Sequence, residues 1–429
     1  MTSLLDFVKK LSFVRTAGSE EEKTAAALIQ EEIAAAAEGR GLPPSQLLPF
    51  PVPSARFSRC EVEAAGKKLP CVPYLRSGCI DRTLKLRWMD SIMEEDFAGV
   101  GDLSDSAVLV NSIPDEDAYK RLVKHKAAAF LIPKGKYYHT AEEASLYPVP
   151  LRDHLARNGA IPGFLITAAD ATALIQNKVC EIRLVLEQEN VDLTSQNVEA
   201  VIEGTCQKDE CIILTAHYDS VPLGTGSWDN ATGAVSLLAL YRHFAAHPPR
   251  RTVRFLWCGS EEVGLLGSRA YIEQNKELLE SIQFCFNFDM CGTALGPNEI
   301  FVTGEDALET YIRQYCRQAG YAAKIGCFVH SSDSAPFCDN GIPALGLSRG
   351  TSSAEIHTIH DLMPPLDETA FQKNMDFAIR IIGDFANAAL VPVKKGMSDA
   401  RKKDLDKYFH REARKDGSKD GGAEQDKKQ

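Results

Sequence analysis

Between residues 191 and 393, short apolar runs alternate with longer amphipathic ones, and few architectures accept that order. CIILTAHYDS, TVRFLWCG, IQFCFNFD and IPALGLS read as strands. ATGAVSLLALYRHFAAH, GLLGSRAYIEQNKELL, ALETYIRQYCRQAG and ETAFQKNMDFAIRIIGDFANAAL read as helices. Strands alternating with amphipathic helices predict an α/β unit, a mostly parallel sheet flanked by helices on both faces.

The rest of the chain differs in character. Its 429 residues suggest two or three domains. The first forty residues read as helical: Ser19 and Glu22 have capping-box spacing, Gly39 is a stop, and Ala25, Leu28, Ile29 and Ile33 form an apolar stripe. AVLV, AAAFLIP and IPGFLIT, with DEDAYKRLVKHK as a short helix, predict a smaller β-rich α+β module. That module offers no cluster of ligating residues, and His125, His139 and His154 read as isolated surface or loop histidines. The expected division is 1–55 and 191–393 for the main unit, 56–190 for an inserted domain, and 394–429 for a charged tail. In that tail SDARKKDLDKYFHREAR reads as one exposed helix, and about the last dozen residues are expected to be disordered.

Composition excludes more than it selects. A net charge of -11 argues against a nucleic-acid or anionic-membrane partner, since phosphate surfaces call for clustered Lys and Arg. The start lacks the marks of a secretory signal, and no apolar stretch approaches the roughly 20 residues that span a bilayer. A cytoplasmic protein is expected. The 12 cysteines are scattered without a CxxC pair. They read as reduced, buried thiols, with Cys258 and Cys285 inside apolar runs.

Ligands of open parallel sheets sit beyond the carboxyl ends of the strands. Here ILTA runs into His217 and Asp219, RFLWCGS into Glu261 and Glu262, and FCFNF into Asp289. His217 and Asp219, two apart, face the same way in an extended segment, so the carboxylate can orient the imidazole. A surface pair would explain them as well. Asp229, in the loop GSWDNATG, fits either a helix N-terminal carboxylate or a bridge between metals. Glu261 and Glu262 fit either a solvated first turn or a division of labour, one ligating and one accepting a proton. Asp289 after FCFNF would be costly to bury unpaired. EIHTIHDLM supplies His357 and His360 as candidates for a second histidine ligand, with a structural role open for one of them.

Taken together, HYDSV (217–221), GSWDNATGA (226–234), SEEVGLLGS (260–268), FDM (288–290), SSDSAPF (331–337), GIPALG (341–346) and IHTIHD (356–361) resemble the M28 family of zinc aminopeptidases. RTAGSEEE near the start is similar to the family's N-terminal segment, and the inserted module looks like a protease-associated domain. The resemblance implies the zinc exopeptidase fold, a peptide substrate and two Zn2+ per chain. It implies that His217, Asp229 and Asp289 hold one zinc, and that Asp229 bridges to a second completed by Glu262 and His357. Glu261 then matches the general base and Asp219 the carboxylate that orients His217. The sequence departs from the family at Ile356, where relatives carry an aromatic residue, which leaves the oxyanion donor open; His330 is a substitute or else a packed loop histidine. Two other classes are a glutaminyl-cyclase-like acyltransferase on the same scaffold and a non-catalytic binding protein. Retention of Glu261 and all five ligands favours the hydrolase.

Overall fold

The computed structural model describes residues 3–411, so the expected disorder of the last dozen residues lies outside the described part. Its described strands join into one 15-stranded sheet. In one half the order is Ala323–Cys327, Asn298–Thr303, Ala344–Arg349, Ile282–Phe288, Gln207–His217, Arg251–Cys258 and Glu181–Ile202. The central strand Gln207–His217 is parallel to both neighbours, and Ile282–Phe288 is parallel to Ala344–Arg349. Asn298–Thr303 and Glu181–Ile202 run antiparallel to their inner neighbours. This is the mostly parallel sheet expected.

The strand runs are apolar throughout because both faces are covered. Ile212, Leu214 and Ala216 point into a cluster with Val253, Phe255, Trp257, Phe284 and Phe286. The helices Leu4–Leu11, Glu20–Ala37, Thr232–Ala246 and Glu368–Asn387 close that face. Cys211, Ile213, Leu256 and Cys285, one residue out of step, meet Tyr271 and Phe337 from Leu266–Gln274 and Ser334–Asp339 on the other. A period of two sorts each strand between two cores.

The second half is reached through two long strands. Gln46–Ala64 and Glu181–Ile202 pair antiparallel over most of their length. The sheet then continues through Ile80–Met89, Ser106–Val110, Ala129–Lys134, Gly163–Thr167 and Cys71–Leu75. This half has its own apolar clusters, one around Val108, Tyr119, Phe130 and Leu165, the other around Leu109, Leu131, Phe164 and Leu184. The divisions drawn at 55/56 and 190/191 fall inside the two long strands.

Some readings need correction. The N-terminal helical segment is two helices, Leu4–Leu11 and Glu20–Ala37. Ser19 Oγ accepts from Glu22 N–H at 3.0 Å, but the Glu22 carboxylate turns inward rather than completing the box. The tail helix, Asp399–Tyr408, is not simply exposed. Leu405, Tyr408 and Phe409 are spaced three and four apart and form a stripe that the charged composition conceals. Leu405 is buried beside Met397, Phe337 and Tyr271, and the Arg411 guanidinium pairs with Asp339. All 12 cysteines are free; Cys258 and Cys285 are among six that are buried, whereas Cys79, Cys180 and Cys206 are exposed. Among the described residues, no helix is long and apolar enough to cross a membrane.

Candidate metal centre and cleft

Parallel register brings the polar residues together. His217 aligns with Cys258 on one side, three residues before Glu261. Thr215 aligns with Asn287 on the other, so Asp289 stands beside His217 beyond the strand ends. Asp229 arrives from the loop before Thr232–Ala246, and His357 from the loop after Ala344–Arg349.

The result is two groups that share one carboxylate. His217 Nε2 lies 3.1 Å from Asp229 Oδ1 and 3.6 Å from Asp289 Oδ1. His357 Nε2 lies 3.2 Å from Asp229 Oδ2 and 3.0 Å from Glu262 Oε2. The candidate ligand atoms of His217, Asp229 and Asp289, and those of Asp229, Glu262 and His357, lie within 4.8 Å of one another. Ligands at about 2.0–2.2 Å in a tetrahedron are separated by roughly 3.3–3.6 Å, so the spacing fits a small divalent cation in each group. Glu262 Oε1 and Asp289 Oδ1 are buried without a hydrogen-bond partner among the described residues. Buried carboxylates left so are costly, which also fits a cation.

Electrostatics express the same crowding. Burial drives the Glu261 carboxyl well above its ordinary value; Glu262, Asp333 and Asp289 add to the rise, and His217 opposes it. Burial and Asp229 bring Glu262 up to about 7. Burial pushes His357 down, but Asp229 and Glu262 outweigh it and lift the imidazole to about 11. Asp229 is held well below the carboxylate range: burial raises it, and His217 and His357 more than reverse that.

Around these groups the loops are pinned by buried polar residues. Asp219 accepts from Glu261 N–H at 3.0 Å and Glu262 N–H at 3.2 Å, which fixes the turn carrying both glutamates. Its Oδ1 is 3.5 Å from His217 Nδ1, too far for a formed hydrogen bond. Asp361 accepts from Trp228 N–H at 2.8 Å and Asp229 N–H at 3.1 Å. Asn230 donates to Phe288 O and accepts from Gly233 N–H, both at 2.8 Å, tying the Asp229 loop to the strand before Asp289. A Cβ at Gly233 would fall 2.3 Å from both Asn230 Oδ1 and Phe288 O, so only glycine allows that approach.

Arg15 and Glu22 were missed as parts of the site. Arg15, fully buried, donates to the carbonyls of Leu11, Phe13, Tyr218, Thr225 and Gly226. Glu22 accepts from Gly18 N–H, Ser195 Oγ–H and Ser260 N–H, next to Glu261. Burial, reinforced by Asp219, raises its carboxyl to about 8. The only hint in the sequence was RTAGSEEE as a block.

A cleft of about 640 Å³ opens above the groups. Both halves and the tail line it. Arg152 and His154 come from the second half, and Tyr408, Phe409 and His410 from the tail. His154, read as an isolated surface histidine, stacks on His410 at 3.7 Å between ring centroids. Burial, then His410, lowers it to about 4. His125, read as a surface or loop histidine, is half-buried against Phe97 at 4.6 Å between ring centroids, with Nδ1 3.1 Å from Gly101 O. Ile356 and His330 line the cleft; His330 stacks on Phe301 at 4.2 Å. Tyr408 Oη is 2.8 Å from Ser331 Oγ. Ser145 Oγ of the second half accepts from Ile359 N–H at 3.2 Å, two residues beyond His357. His360 belongs to neither candidate group.

A fold with acidic and histidine ligands at the carboxyl edge of a parallel sheet is one of metal-dependent chemistry. Residues 197–382 match the model of peptidase family M28. Aminopeptidase YwaD of Bacillus subtilis (strain 168) is 31% identical over 263 residues, 58% of this chain and 55% of that protein. The vacuolar membrane protease of Saccharomyces cerevisiae (strain ATCC 204508 / S288c) is 34% identical over 120 residues, 28% of this chain and 12% of the relative. The chain thus spans about half, or less, of the length of these curated relatives. Two solved structures share the fold. The aminopeptidase from Aneurinibacillus sp. strain AM-1 has a TM-score of 0.73 at 22% identity, covering 92% of this chain and 97% of its own. BSAP, a zinc aminopeptidase from Bacillus subtilis, has a TM-score of 0.74 at 23% identity with the same coverage.

Proposed function

We propose that the chain is a zinc-dependent aminopeptidase that hydrolyses the N-terminal residue of peptides with two metal ions and Glu261 as general base. The observation that carries this reading is Asp229, whose two oxygens face two different histidine–carboxylate groups. In this reading His217, Asp229 and Asp289 hold one ion; Asp229, Glu262 and His357 hold the other. When bound, such ions make a water acidic at neutral pH and polarise a carbonyl oxygen.

The chain's own residues do the rest. Glu261 takes the proton from the attacking water and delivers it to the leaving amine. Asp219 holds the Glu261–Glu262 turn through two backbone amides, so base and ligand keep a fixed spacing. Asp361 and Asn230 hold Asp229 between the two groups. The cleft volume falls in the range of small-ligand sites, suited to a short peptide rather than a folded chain.

Glu261→Gln tests the assignment. It should keep its metal content and lose roughly 10²–10⁴-fold or more in kcat on aminoacyl substrates. Turnover equal to the parent enzyme would remove Glu261 from the mechanism. A chelator should abolish activity of the parent enzyme, and added zinc should restore it.

A further inference from the structure

Four carboxylates, Asp229, Glu261, Glu262 and Asp289, and two histidines, His217 and His357, form the floor of the cleft, yet its wall is basic. Arg76, Arg152, Arg157 and Arg269 all line it. Two are already engaged: Arg76 pairs with Asp153 at 3.1 Å and Arg157 with Glu116 at 2.8 Å. Arg269 lies 5.4 Å from the centroid of the Phe409 ring and has no ion pair among the described residues. The guanidinium of Arg152 makes no ion pair or hydrogen bond among the described residues, although Asp229, Glu262 and Asp289 line the same cleft. Those carboxylates are the ones that the two-ion reading commits to cations. Exposed arginines facing a cleft with nothing to bind call for an anion from outside.

Their position sets which part of a substrate would bring it. Arg152 Nη1 lies 3.0 Å from where a Cβ on Gly264 would stand. Gly264 N–H donates to Glu261 O at 2.8 Å, so this guanidinium lies over the same turn as the base. The Tyr408 phenol is raised by burial and by Glu261, and lowered by Arg152 and Arg269, which places all three charges around it. An extended residue covers about 3.3–3.6 Å, so a carboxylate one or two residues past a bond held at Glu261 reaches this wall.

We propose that Arg152, flanked by Arg269, binds a carboxylate on the leaving side of the scissile bond. This rests on the aminopeptidase reading and narrows its substrates to short peptides with a free terminus, or an acidic side chain, just beyond the bond. The α-amino end faces the floor, the carboxylate faces the wall, and the Arg152 fork supplies two parallel hydrogen bonds. Arg152 is then a specificity residue that touches substrate and takes no part in bond breaking.

The test compares leucyl-alanine, its C-terminal amide, leucyl-glutamic diamide and N-acetyl-leucyl-alanine on the zinc-loaded enzyme. The free acid should exceed the amide by about 10- to 100-fold in kcat/KM, mainly through KM, as a charge-assisted hydrogen bond would give. Arg152→Ala should bring that ratio close to one, and Arg152→Lys should restore part of it. The glutamic diamide separates the sources: it matches the free acid if a side chain serves, and the plain amide if only the terminus does. An acid-to-amide ratio near one in the parent enzyme, or one unmoved by Arg152→Ala, overturns the proposal. Cleavage of the N-acetyl peptide would instead defeat the aminopeptidase reading and leave the carboxylate subsite standing. Calorimetry with Glu261→Gln reads the same preference without turnover. The free acid should bind more tightly than the amide, and Arg152→Ala in that background should erase the difference; equal binding before that change also overturns the proposal.

Discussion

At the end of Gln207–His217 the chain buries His217 and Asp219, at 1% and 0% exposure. At the end of Ala129–Lys134, in the other half of the sheet, it leaves Lys134 on the Tyr147 ring, 3.5 Å from the centroid. Both strands are parallel, buried on two faces and packed by the same period of two. Architecture therefore does not separate a reactive edge from an inert one. What separates them is buried charge. The first half ends three neighbouring strands in carboxylates and an imidazole, and stabilises them with amides of distant segments. In the second half the ion pairs, such as Lys85–Asp105 and Arg59–Glu61, lie at the surface.

The largest effect is expected at the shared carboxylate. Asp229→Ala should lose both metals and all measurable hydrolysis, because each group depends on one of its oxygens. Elemental analysis showing zinc unchanged in that variant would break the contrast between the halves.

A smaller effect is expected one layer out, at Glu22. Its folded pKa, about 8, lies above the ordinary 4.5, so the folded state binds the proton more tightly. The stabilisation is full below about 4.5 and is lost as pH rises to about 8 and beyond. Glu22→Gln should flatten the fall in Tm across that window. An unchanged slope would show that other groups set it.

The smallest effect belongs to the second half. Lys85 and Asp105 are 2.6 Å apart but largely exposed, so Lys85→Ala should change stability by less than about 1 kcal/mol in urea titration. A larger loss would mean that the exposed pairs of this half are not the weak contacts described.

These differences were unevenly legible in the sequence. The strands and their polar ends could be read because an apolar run that stops at His217, Glu261 or Asp289 carries its own signal. Asp361 and Asn230 act by gripping backbone of other segments, and no local pattern announces that. Glu22 looked like a helix cap because its spacing from Ser19 permits one; the buried amide of Ser260 takes its carboxylate instead. His154 looked like a surface residue, and Arg152 drew no reading, because the sequence does not say which way the second half leans. The tail's stripe of Leu405, Tyr408 and Phe409 was outvoted by its charges.

The most direct measurement is anomalous diffraction at the zinc edge from crystals of the metal-loaded protein. Two peaks should appear, one among His217, Asp229 and Asp289 and one among Asp229, Glu262 and His357, with Asp229 touching both. A single peak, or peaks held by other side chains, would contradict the shared-carboxylate centre on which the proposed chemistry depends.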